Sequence, residues 1–424
     1  MKIYPKYKDS GIQWLGQIPE HWETSLLFQV TYEHFLSNKE VHHQNLLSLS
    51  YGNIVRKDIN TTGGLLPASF DTYQIVEEGN IVMRLTDLQN DHKSLRVGLV
   101  KEEGIVTSAY VCLGISNEET IKPSYLYRLL HTYDIWKLFY SMGGGIRQGL
   151  NWQGLRKLQV IVPPLNEQEK IVEYIDSKTN NIDAYITERE RELKILSELK
   201  QSQIAEVVTR GLDPEAPLKD SGVPWIGMIP EHWDVKRFGA ICQLKSICNC
   251  ENEELLSVYL DRGVIRFSED ESKRTNPTSK DLTNYQLVEY GDFVLNNQQA
   301  WRGSVGVSKY RGIVSPAYFI FKLSANLDTD FANFLFRSKN YVAYYHICSK
   351  GVGSIQRNLE WGKLKQKMVF IPPIGEQKAI VEYINTKCNH RDTMVANIKS
   401  EIAYLKEYKQ RLIADAVTGA INVQ

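Results

Sequence analysis

Cysteine and histidine are the first residue types to consider for chemistry, since both bind metals and both take part in catalysis. The six cysteines are mostly isolated, and the densest group is Cys248–Cys250 with Cys242 nearby. This spacing fits no common zinc pattern and lacks a neighbouring histidine pair. His21 and His232 occupy equivalent places in two copies of the sequence Ile-Pro-Glu-His-Trp. We interpret these two histidines as docking or packing residues, and we expect no metal site.

Motifs for cofactor binding and covalent catalysis are absent from the sequence. Gly143–Gly145 lacks the Lys-Ser/Thr that completes a phosphate-binding loop, and no HExxH or GxSxG motif occurs. Val162–Leu165 and Ile371–Ile374 have a Pro-Pro pair like that of amino-methyltransferases. Their first residue is Val or Ile, not the Asn or Asp that would hold the target amine. We therefore expect a helix-entry role for these segments, no cofactor in this chain, and no enzyme activity of its own.

Length and composition indicate a multidomain globular protein. The chain has 424 residues, with 50 basic and 50 acidic side chains, which suggests two or three domains and no global basic field. No apolar run is long enough to span a bilayer, and the N-terminus shows no secretory signal. Isolated cysteines in such a chain are expected to be reduced. The predicted compartment is the cytoplasm.

An internal repeat organises the chain. Lys8–Trp22 and Lys219–Trp233 are identical at eleven of fifteen positions, with a shift of 211 residues. Lower-density matches follow in the same order, and they pair Leu46–Ser48 with Leu255–Ser257, Val76–Val82 with Val288–Val294, and Gly104–Tyr110 with Gly312–Tyr318. Recurring positions are apolar, Gly, Pro or Trp, whereas the intervening segments differ in length and residue type. One scaffold therefore carries two different sets of loop side chains.

Each half ends in a long amphipathic helix. Apolar residues recur every three or four positions in Glu167–Val208, and the pattern repeats in Glu376–Val417 at a shift of 209. At about 1.5 Å per residue each helix would be roughly 60 Å long. Gly211 and Gly419 are the expected helix ends. Burying the two apolar stripes against each other predicts an antiparallel coiled coil.

The predicted fold is α+β, with two globular mixed α/β domains separated by the pair of antiparallel helices in a pseudo-twofold repeat. The predicted segments are 1–164 (first domain), 165–212 (first helix), 213–373 (second domain) and 374–424 (second helix). Within the domains the patterns predict strands and helices. The strands include Asn80–Leu85, Val106–Leu113, Asp292–Asn296 and Ala317–Leu323, and the helices are Ser124–Tyr140 and Asp330–Ser349.

The doubled motifs resemble the specificity subunits of type I restriction–modification enzymes. These motifs are Gly-x-x-Trp-[Leu/Ile]-Gly-x-Ile-Pro-Glu-His-Trp and [Val/Ile]-Pro-Pro-[Leu/Ile]-x-Glu-Gln-x-x-Ile-Val-Glu-Tyr-Ile. The resemblance covers essentially the whole chain. It implies that each domain is a target recognition domain reading one half of a split double-stranded DNA target. It also implies that the helices set the gap and dock two methyltransferase subunits, and that motor/nuclease subunits join the complex. Those partners would use S-adenosylmethionine, ATP and Mg.

Loops between the repeated strands are the predicted DNA contacts, because their side chains vary while the scaffold does not. Arg, Asn and Gln can hydrogen-bond base edges in bidentate fashion, and Asn296–Gln299 is the run most typical of this. The candidates are Tyr51, Asn53, Arg56, Arg84, Gln89, Asn90, Lys93, Arg96, Arg147 and Gln148 in the first domain, and Tyr259, Arg262, Arg266, Asn296, Asn297, Gln298, Gln299, Arg302, Gln356 and Arg357 in the second. The alternative is that these are solvated loop residues.

Two other classes of protein are alternatives to this interpretation. Two globular heads on a coiled coil could form a protein–protein scaffold without nucleic acid, which zero net charge favours slightly. A self-contained methyltransferase or nuclease would need cofactor or metal motifs, which the sequence lacks.

The two domains differ in net charge. The segment Lys8–Pro164 carries a net charge of −2, and Lys219–Ile371 carries a net charge of +4. Phosphate-binding capacity in the first domain must therefore be local or come from partners.

Overall fold

The computed structural model describes residues 3–39, 43–59, 69–88, 95–142, 149–260, 262–269, 281–352 and 356–423. The chain forms two compact units. Unit 1 comprises Met1–Arg189 together with Ser400–Gln424, and unit 2 comprises Glu190–Lys399. Unit 1 is therefore assembled from both ends of the chain, whereas unit 2 is one continuous segment.

Short strands and a few helices make up the globular part of unit 1. The strands are β1 (Tyr7–Asp9), β2 (Gln17–Pro19), β3 (Glu23–Leu26), β4 (Thr31–Glu33), β5 (Leu36–Ser37), β6 (Leu47–Ser50), β7 (Asn53–Arg56), β8 (Gln74–Val76), β9 (Ile81–Met83), β10 (Val97–Leu99), β11 (Gly104–Val106), β12 (Val111–Ile115) and β13 (Gln159–Val162). The helices are α1 (Leu27–Val30), α2 (Pro123–Ile135), α3 (Leu138–Met142) and α4 (Trp152–Leu155). The first long helix, α5 (Leu165–Arg210), begins in unit 1.

Unit 2 contains a second set of the same kinds of element. Its strands are β14 (Leu218–Asp220), β15 (Met228–Pro230), β16 (Asp234–Arg237), β17 (Cys242–Lys245), β18 (Leu256–Tyr259), β19 (Gly263–Arg266), β20 (Gln286–Val288), β21 (Phe293–Asn296), β22 (Val305–Val307), β23 (Gly312–Val314), β24 (Tyr318–Leu323), β25 (Ser349–Val352), β26 (Gln356–Leu359) and β27 (Met368–Ile371). Its helices are α6 (Phe238–Ile241), α7 (Thr329–Arg337), α8 (Lys339–Ile347) and α9 (Trp361–Leu364), followed by the long helix α10 (Ile374–Val417). Two 3-10 turns, Phe267–Glu269 and Ala300–Arg302, complete the set.

Sheet topology reproduces the sequence repeat. The four-stranded antiparallel sheet of unit 1 has the order β10-β9-β12-β4, and that of unit 2 has the order β22-β21-β24-β17. Equivalent two-stranded ladders join β3 to β13 and β16 to β27, and equivalent hairpins join β6 to β7 and β18 to β19. The predicted mixed α/β fold with an internal repeat is confirmed at the level of strand order.

Three predicted elements are each divided in the structure. The expected strand Val106–Leu113 consists of β11 and β12 with a turn between them, and the Gln74 side chain holds this turn through the carbonyls of Thr107 and Tyr110. The expected helix Ser124–Tyr140 is α2 and α3, separated at Lys137, whose φ is 63°. The expected helix Asp330–Ser349 is α7 and α8, separated at the extended residue Ser338. Apolar periodicity continued across these breaks and concealed them.

The hydrophobic core of each unit includes the ends of both long helices. In unit 1, Ile171 and Ile175 of α5 and Ile413 and Val417 of α10 join the largest apolar cluster. In unit 2, Val208 of α5 joins Ile380 and Ile384 of α10 in the corresponding cluster. Burying a side chain of this size stabilises the fold by about 1.5–3 kcal/mol. The helices are thus structural parts of both units.

Within each unit the two long helices run antiparallel. In unit 1, Lys409 pairs with Asp183 at 2.6 Å, and the Tyr185 hydroxyl donates to Glu401 at 2.9 Å. In unit 2, Lys200 pairs with Asp392 at 2.7 Å. The Lys200 and Lys409 pairs occupy equivalent positions at the repeat shift of 209. The predicted antiparallel pairing is confirmed within each unit. No described helix combines the length and apolarity that a membrane span needs.

Candidate nucleic-acid interface

The start of α5 is fixed to unit 1 through the carboxylate of Glu167. This side chain accepts hydrogen bonds from the Tyr4 hydroxyl at 3.0 Å and from the Trp22 indole Nε1 at 3.0 Å, and it contacts His21 Nε2 at 2.6 Å. Burial alone would raise the pKa of Glu167, but these hydrogen bonds outweigh it and hold the pKa below the ordinary 4.5. The ionised carboxylate therefore joins the N-terminal motif to the helix.

The same arrangement recurs in unit 2. Glu376, at the start of α10, contacts His232 Nε2 at 2.8 Å and accepts from Trp233 Nε1 at 3.1 Å. This pattern explains why His and Trp recur together in the repeated motif, and it assigns both histidines to packing. The sequence showed both halves of each contact as repeated motifs, but it gave no sign that they meet.

A repeated glutamine follows each of these glutamates and fixes the adjacent loop. Gln168 donates to the carbonyls of Thr120 and Pro163 at 3.0 and 2.7 Å, and accepts from the Lys122 amide at 2.8 Å. Gln377 makes the matching three bonds in unit 2. The repeated Glu-Gln pair therefore orients each globular part on its helix, which determines where the loops of that part are presented.

In unit 2 the structure brings several predicted contact residues together around Trp301. The Arg302 and Arg357 guanidinium groups lie 5.6 and 5.2 Å from the Trp301 ring centroid. Asn297 Oδ1 accepts from the Leu359 amide at 2.8 Å and so joins the segment after β21 to β26. This group, residues 296–302 with Arg357, is called the Trp301 cluster.

Partial burial leaves polar groups of the Trp301 cluster at the surface. Asn296, Asn297, Gln298 and Gln299 are all intermediate in exposure, and Arg302 is exposed. The Asn296 side chain supports the turn by accepting from the Gln298 amide. Guanidinium and amide side chains held beside an aromatic ring form a surface suited to planar polar groups such as base edges. The backbone of Gln356 lies in the adjacent β26.

The other predicted residues of unit 2 lie on the hairpin β18–β19. Arg262 lies over the Tyr259 ring at 4.7 Å, and Arg266 lies over the Tyr310 ring at 4.9 Å while pairing with Glu254 at 3.3 Å. Both arginines are exposed. Their aromatic contacts restrict the guanidinium groups without burying them.

In unit 1 the hairpin β6–β7 presents Tyr51 and Asn53. Tyr51 is 75% exposed and has a φ of 46°, a left-handed conformation that a bulky side chain rarely adopts. The hydroxyl of Tyr127 supports the turn by donating to the carbonyl of Gly52 at 3.2 Å. Arg56, on the same hairpin, is paired with Glu102. All three predicted residues of this hairpin are exposed, and the charge of Arg56 is already paired.

Arg96 does not lie on the surface, contrary to the expected solvent-facing position. It is fully buried, and its guanidinium donates to the carbonyls of Arg84, Thr86 and Asp87 and to the Tyr140 hydroxyl. Its role in this structure is to hold the segment after β9 in place. Arg84 itself is half-buried. Gln89, Asn90, Lys93, Arg147 and Gln148 lie outside the described residues.

Metal binding is not indicated in the described part of the chain. No group of three or more His, Cys, Asp or Glu side chains there is arranged to hold an ion. The cysteines are unbridged, and Cys112, Cys242 and Cys348 are buried. Burial raises the pKa of the Cys112 thiol to about 12, so it is protonated at neutral pH and unsuited to act as a nucleophile.

Comparison with family models identifies the family to which this chain belongs. A family model described as the type I restriction modification DNA specificity domain matches residues 85–194 and 230–404. The two matches cover well over half of the chain, and the chain belongs to this family. The resemblance inferred from the repeated motifs is therefore confirmed.

Individual relatives agree with that placement. The MjaX type I restriction enzyme specificity subunit of Methanocaldococcus jannaschii is 22% identical over 430 residues, covering 97% of this chain and 96% of that protein. The EcoKI specificity subunit of Escherichia coli is 20% identical over 281 residues, covering 63% and 58%. A chain from a structural study of complex assembly in a type I R-M system aligns with a TM-score of 0.65 at 16% identity, covering 95% of this chain and 99% of that one. This last comparison supports the fold.

Proposed function

We propose that this chain is the DNA specificity subunit of a type I restriction–modification complex, and that each unit reads one half of a split double-stranded target. The main observation in support is that one scaffold occurs twice in the chain with different surface residues. The four-stranded sheet has the same strand order in both units, yet the segment after β9 contains the buried Arg96, whereas the segment after β21 exposes Arg302. Two related but non-identical recognitions require this combination. The chain contributes specificity, and catalysis belongs to its partners.

The long helices offer two equivalent docking surfaces for methyltransferase subunits. In unit 2, Ile195 and Leu199 of α5 are 54% and 44% exposed. In unit 1, Tyr404 and Tyr408 of α10 are 72% and 45% exposed, at the same positions of the repeat. Exposed apolar pairs one helical turn apart are typical of helix-docking surfaces. Their duplication fits two copies of one partner, and the helix length between the recognition units would set the gap.

Replacing Ile195 and Leu199 by glutamate should release one methyltransferase subunit. Charged side chains at the centre of an apolar contact must be desolvated on binding, so we expect that copy to bind more than about tenfold more weakly. Native mass spectrometry of the co-expressed complex would report one methyltransferase in place of two. The double change Asn385→Glu with Asn389→Glu adds the same charge at exposed positions of α10 and should leave two copies bound.

The reading function is tested by sequencing the methylated sites of a genome in cells that express this chain with its methyltransferase. A split target sequence is expected. Absence of sequence-specific methylation would contradict the proposal and favour a protein–protein scaffold.

Arg302→Ala and Gln298→Ala, tested separately, should each reduce the discrimination between bases at one position of one half-target by about 1–3 kcal/mol. Arg237→Ala, an exposed control outside the Trp301 cluster, should not. A uniform loss of affinity would mean phosphate contact only.

Cofactors and compartment follow from the same proposal. S-adenosylmethionine would be bound by the methyltransferase subunits, and ATP and Mg by the motor/nuclease subunits, with no cofactor in this chain. Because both the genome and these partners are intracellular, the proposed compartment is the cytoplasm.

A further inference from the structure

A groove of about 1220 Å³ lies within unit 2, between its globular part and the segments of α5 and α10 that belong to this unit. Apolar side chains such as Phe334, Val342 and Val395 contribute to its lining. Trp301 and Arg302 also line it, so the groove is continuous with the Trp301 cluster. A polymer bound along the groove would pass directly beside the predicted base-reading residues.

The charge of the groove is strongly one-sided. Seven lysine and arginine side chains line it, against a single carboxylate, Asp392, which is already paired with Lys200. Lys194, Lys339 and Lys399 are exposed, and none of the three has an ion-pair partner among the described residues. Together they concentrate positive charge in a chain whose net charge is zero.

The repeat-equivalent positions on the two long helices lack this charge. At the repeat shift of 209, Lys194 corresponds to Ala403 of unit 1, and Lys399 corresponds to Glu190, the residue at which unit 2 begins. The Lys200–Asp392 ion pair, in contrast, is retained as Lys409–Asp183. The ion pair common to both units is therefore part of the shared scaffold. The additional lysines are specific to unit 2 and point to a task that unit 1 does not perform.

We propose that the groove of unit 2 binds the phosphate backbone of the DNA duplex beside the half-site that unit 2 reads. This inference rests on the proposed function and assigns the sequence-independent part of the affinity mainly to one unit. Unit 1 then contributes base discrimination with little phosphate binding, in keeping with the net charges of −2 and +4 for the two globular segments, Lys8–Pro164 and Lys219–Ile371.

The spacing of the cations matches a phosphate backbone. Arg391 and Lys399 are eight residues apart on α10, which is about 12 Å along a helix at about 1.5 Å per residue. Over this length one DNA strand presents about three or four phosphates, at about 3.4 Å of axial rise per nucleotide. Arg391 and Lys399 can therefore meet different phosphates of the same strand.

The test is the salt dependence of binding to a 40-base-pair duplex of random sequence, measured by fluorescence anisotropy on the full chain in complex with its methyltransferase subunits. The variant carries Lys194→Gln, Lys339→Gln and Lys399→Gln. We expect the slope of log affinity against log salt to fall by about 2.7, at about 0.9 for each lost phosphate contact. Between 50 and 200 mM salt, the wild-type complex should then lose about 40-fold more affinity than the variant.

A matched control variant carries Lys236→Gln, Lys322→Gln and Lys365→Gln, which removes the same charge from exposed sites of unit 2 outside the groove. An equal fall in slope in this control, or an unchanged slope in the groove variant, would overturn the inference. Loss of a methyltransferase subunit from the groove variant, seen by native mass spectrometry, would also overturn the inference, because it would show that the groove binds protein. A wild-type complex that binds no DNA would instead contradict the proposed function.

The reverse substitution provides a gain-of-function test. Ala403→Lys with Glu190→Lys places lysines at the repeat positions equivalent to Lys194 and Lys399. Both sites are exposed. The slope should rise by roughly 2 if cations at these positions contact phosphate. A slope equal to that of the wild type would count against the assignment of these helix positions to DNA.

Discussion

Replacing Glu167 by alanine is expected to lower the free energy of unfolding of unit 1 by about 3–5 kcal/mol, a typical cost of breaking a buried charged network. Trp22 and Tyr4, both buried, would each lose their hydrogen-bond acceptor. An unsatisfied buried donor costs about 1–3 kcal/mol. Urea unfolding followed by tryptophan fluorescence would measure the loss, and amide hydrogen exchange would locate it in unit 1.

Two other glutamates provide controls for this prediction. Glu169 lies in the same part of α5 but is exposed, so Glu169→Ala should change the unfolding free energy by less than about 0.5 kcal/mol. Glu376→Ala should destabilise unit 2 by less than Glu167→Ala destabilises unit 1. The Glu376 side chain is 24% exposed, against 6% for Glu167, and it receives two contacts where Glu167 receives three. Equal losses at all three positions would show that helix-end charge matters more than the buried contacts.

Acid should destabilise unit 1 through the same carboxylate. The native pKa of Glu167 is lower than the ordinary 4.5, because the hydrogen bonds it accepts outweigh its burial. A group with a lowered native pKa contributes its full stability above the unfolded-state pKa and loses it as the pH falls through the native value. Stability of the wild-type protein should therefore fall below about pH 4.5 more steeply than that of Glu167→Gln. Parallel curves for the two proteins would contradict this assignment.

Replacing Gly419 by alanine is the second change for which a large loss is expected, about 2–4 kcal/mol from backbone strain and overpacking together. Gly419 follows α10 with a φ of 76°. An added Cβ would lie 2.5 Å from Pro19 and 3.0 Å from Trp22, inside the repeated N-terminal motif. Neither neighbour can move freely, because Trp22 is fully buried and Pro19 belongs to β2.

Gly16 separates the two contributions to that loss. Its φ of 75° nearly equals that of Gly419, but no atom lies within 4 Å of a Cβ built there. Gly16→Ala should therefore cost only the left-handed backbone strain, about 1–2 kcal/mol. Thermal or urea unfolding of both variants measures the difference. Equal losses would show that the contact of Gly419 with the motif contributes nothing to stability.

The repeat and the long helices were predictable because they depend on patterns that are local or duplicated. Apolar periodicity defined α5 and α10 to within two residues, and the repeated glycines marked their ends. Breaks inside elements were not predictable in the same way. The turn in Val106–Leu113 depends on the Gln74 side chain, which is distant in sequence and reaches two carbonyls there.

The candidate site was less predictable than the fold, because exposure depends on tertiary contacts. Arg96 has the residue type and the loop position of a DNA contact, yet four acceptors inside unit 1 bind it. The groove of unit 2 was missed because its lysines come from α5, α8 and α10, segments far apart in the sequence. Lys194 and Lys399 could have been identified from the sequence by comparing the charges at equivalent positions of the two repeats.

The closure of unit 1 by the end of α10 has a consequence for synthesis. The Tyr7 hydroxyl donates to the carbonyl of Gly419, 412 residues away, and Tyr125 donates to Val417. A ribosome makes the chain from the N-terminus onward, so all of Glu190–Lys399 is synthesised before these acceptors exist. Unit 1 is therefore the unit whose synthesis begins first and whose contacts are completed last. Its apolar surface for the end of α10, which Ile413 and Val417 cover in the folded protein, stays uncovered until the last part of the chain is made.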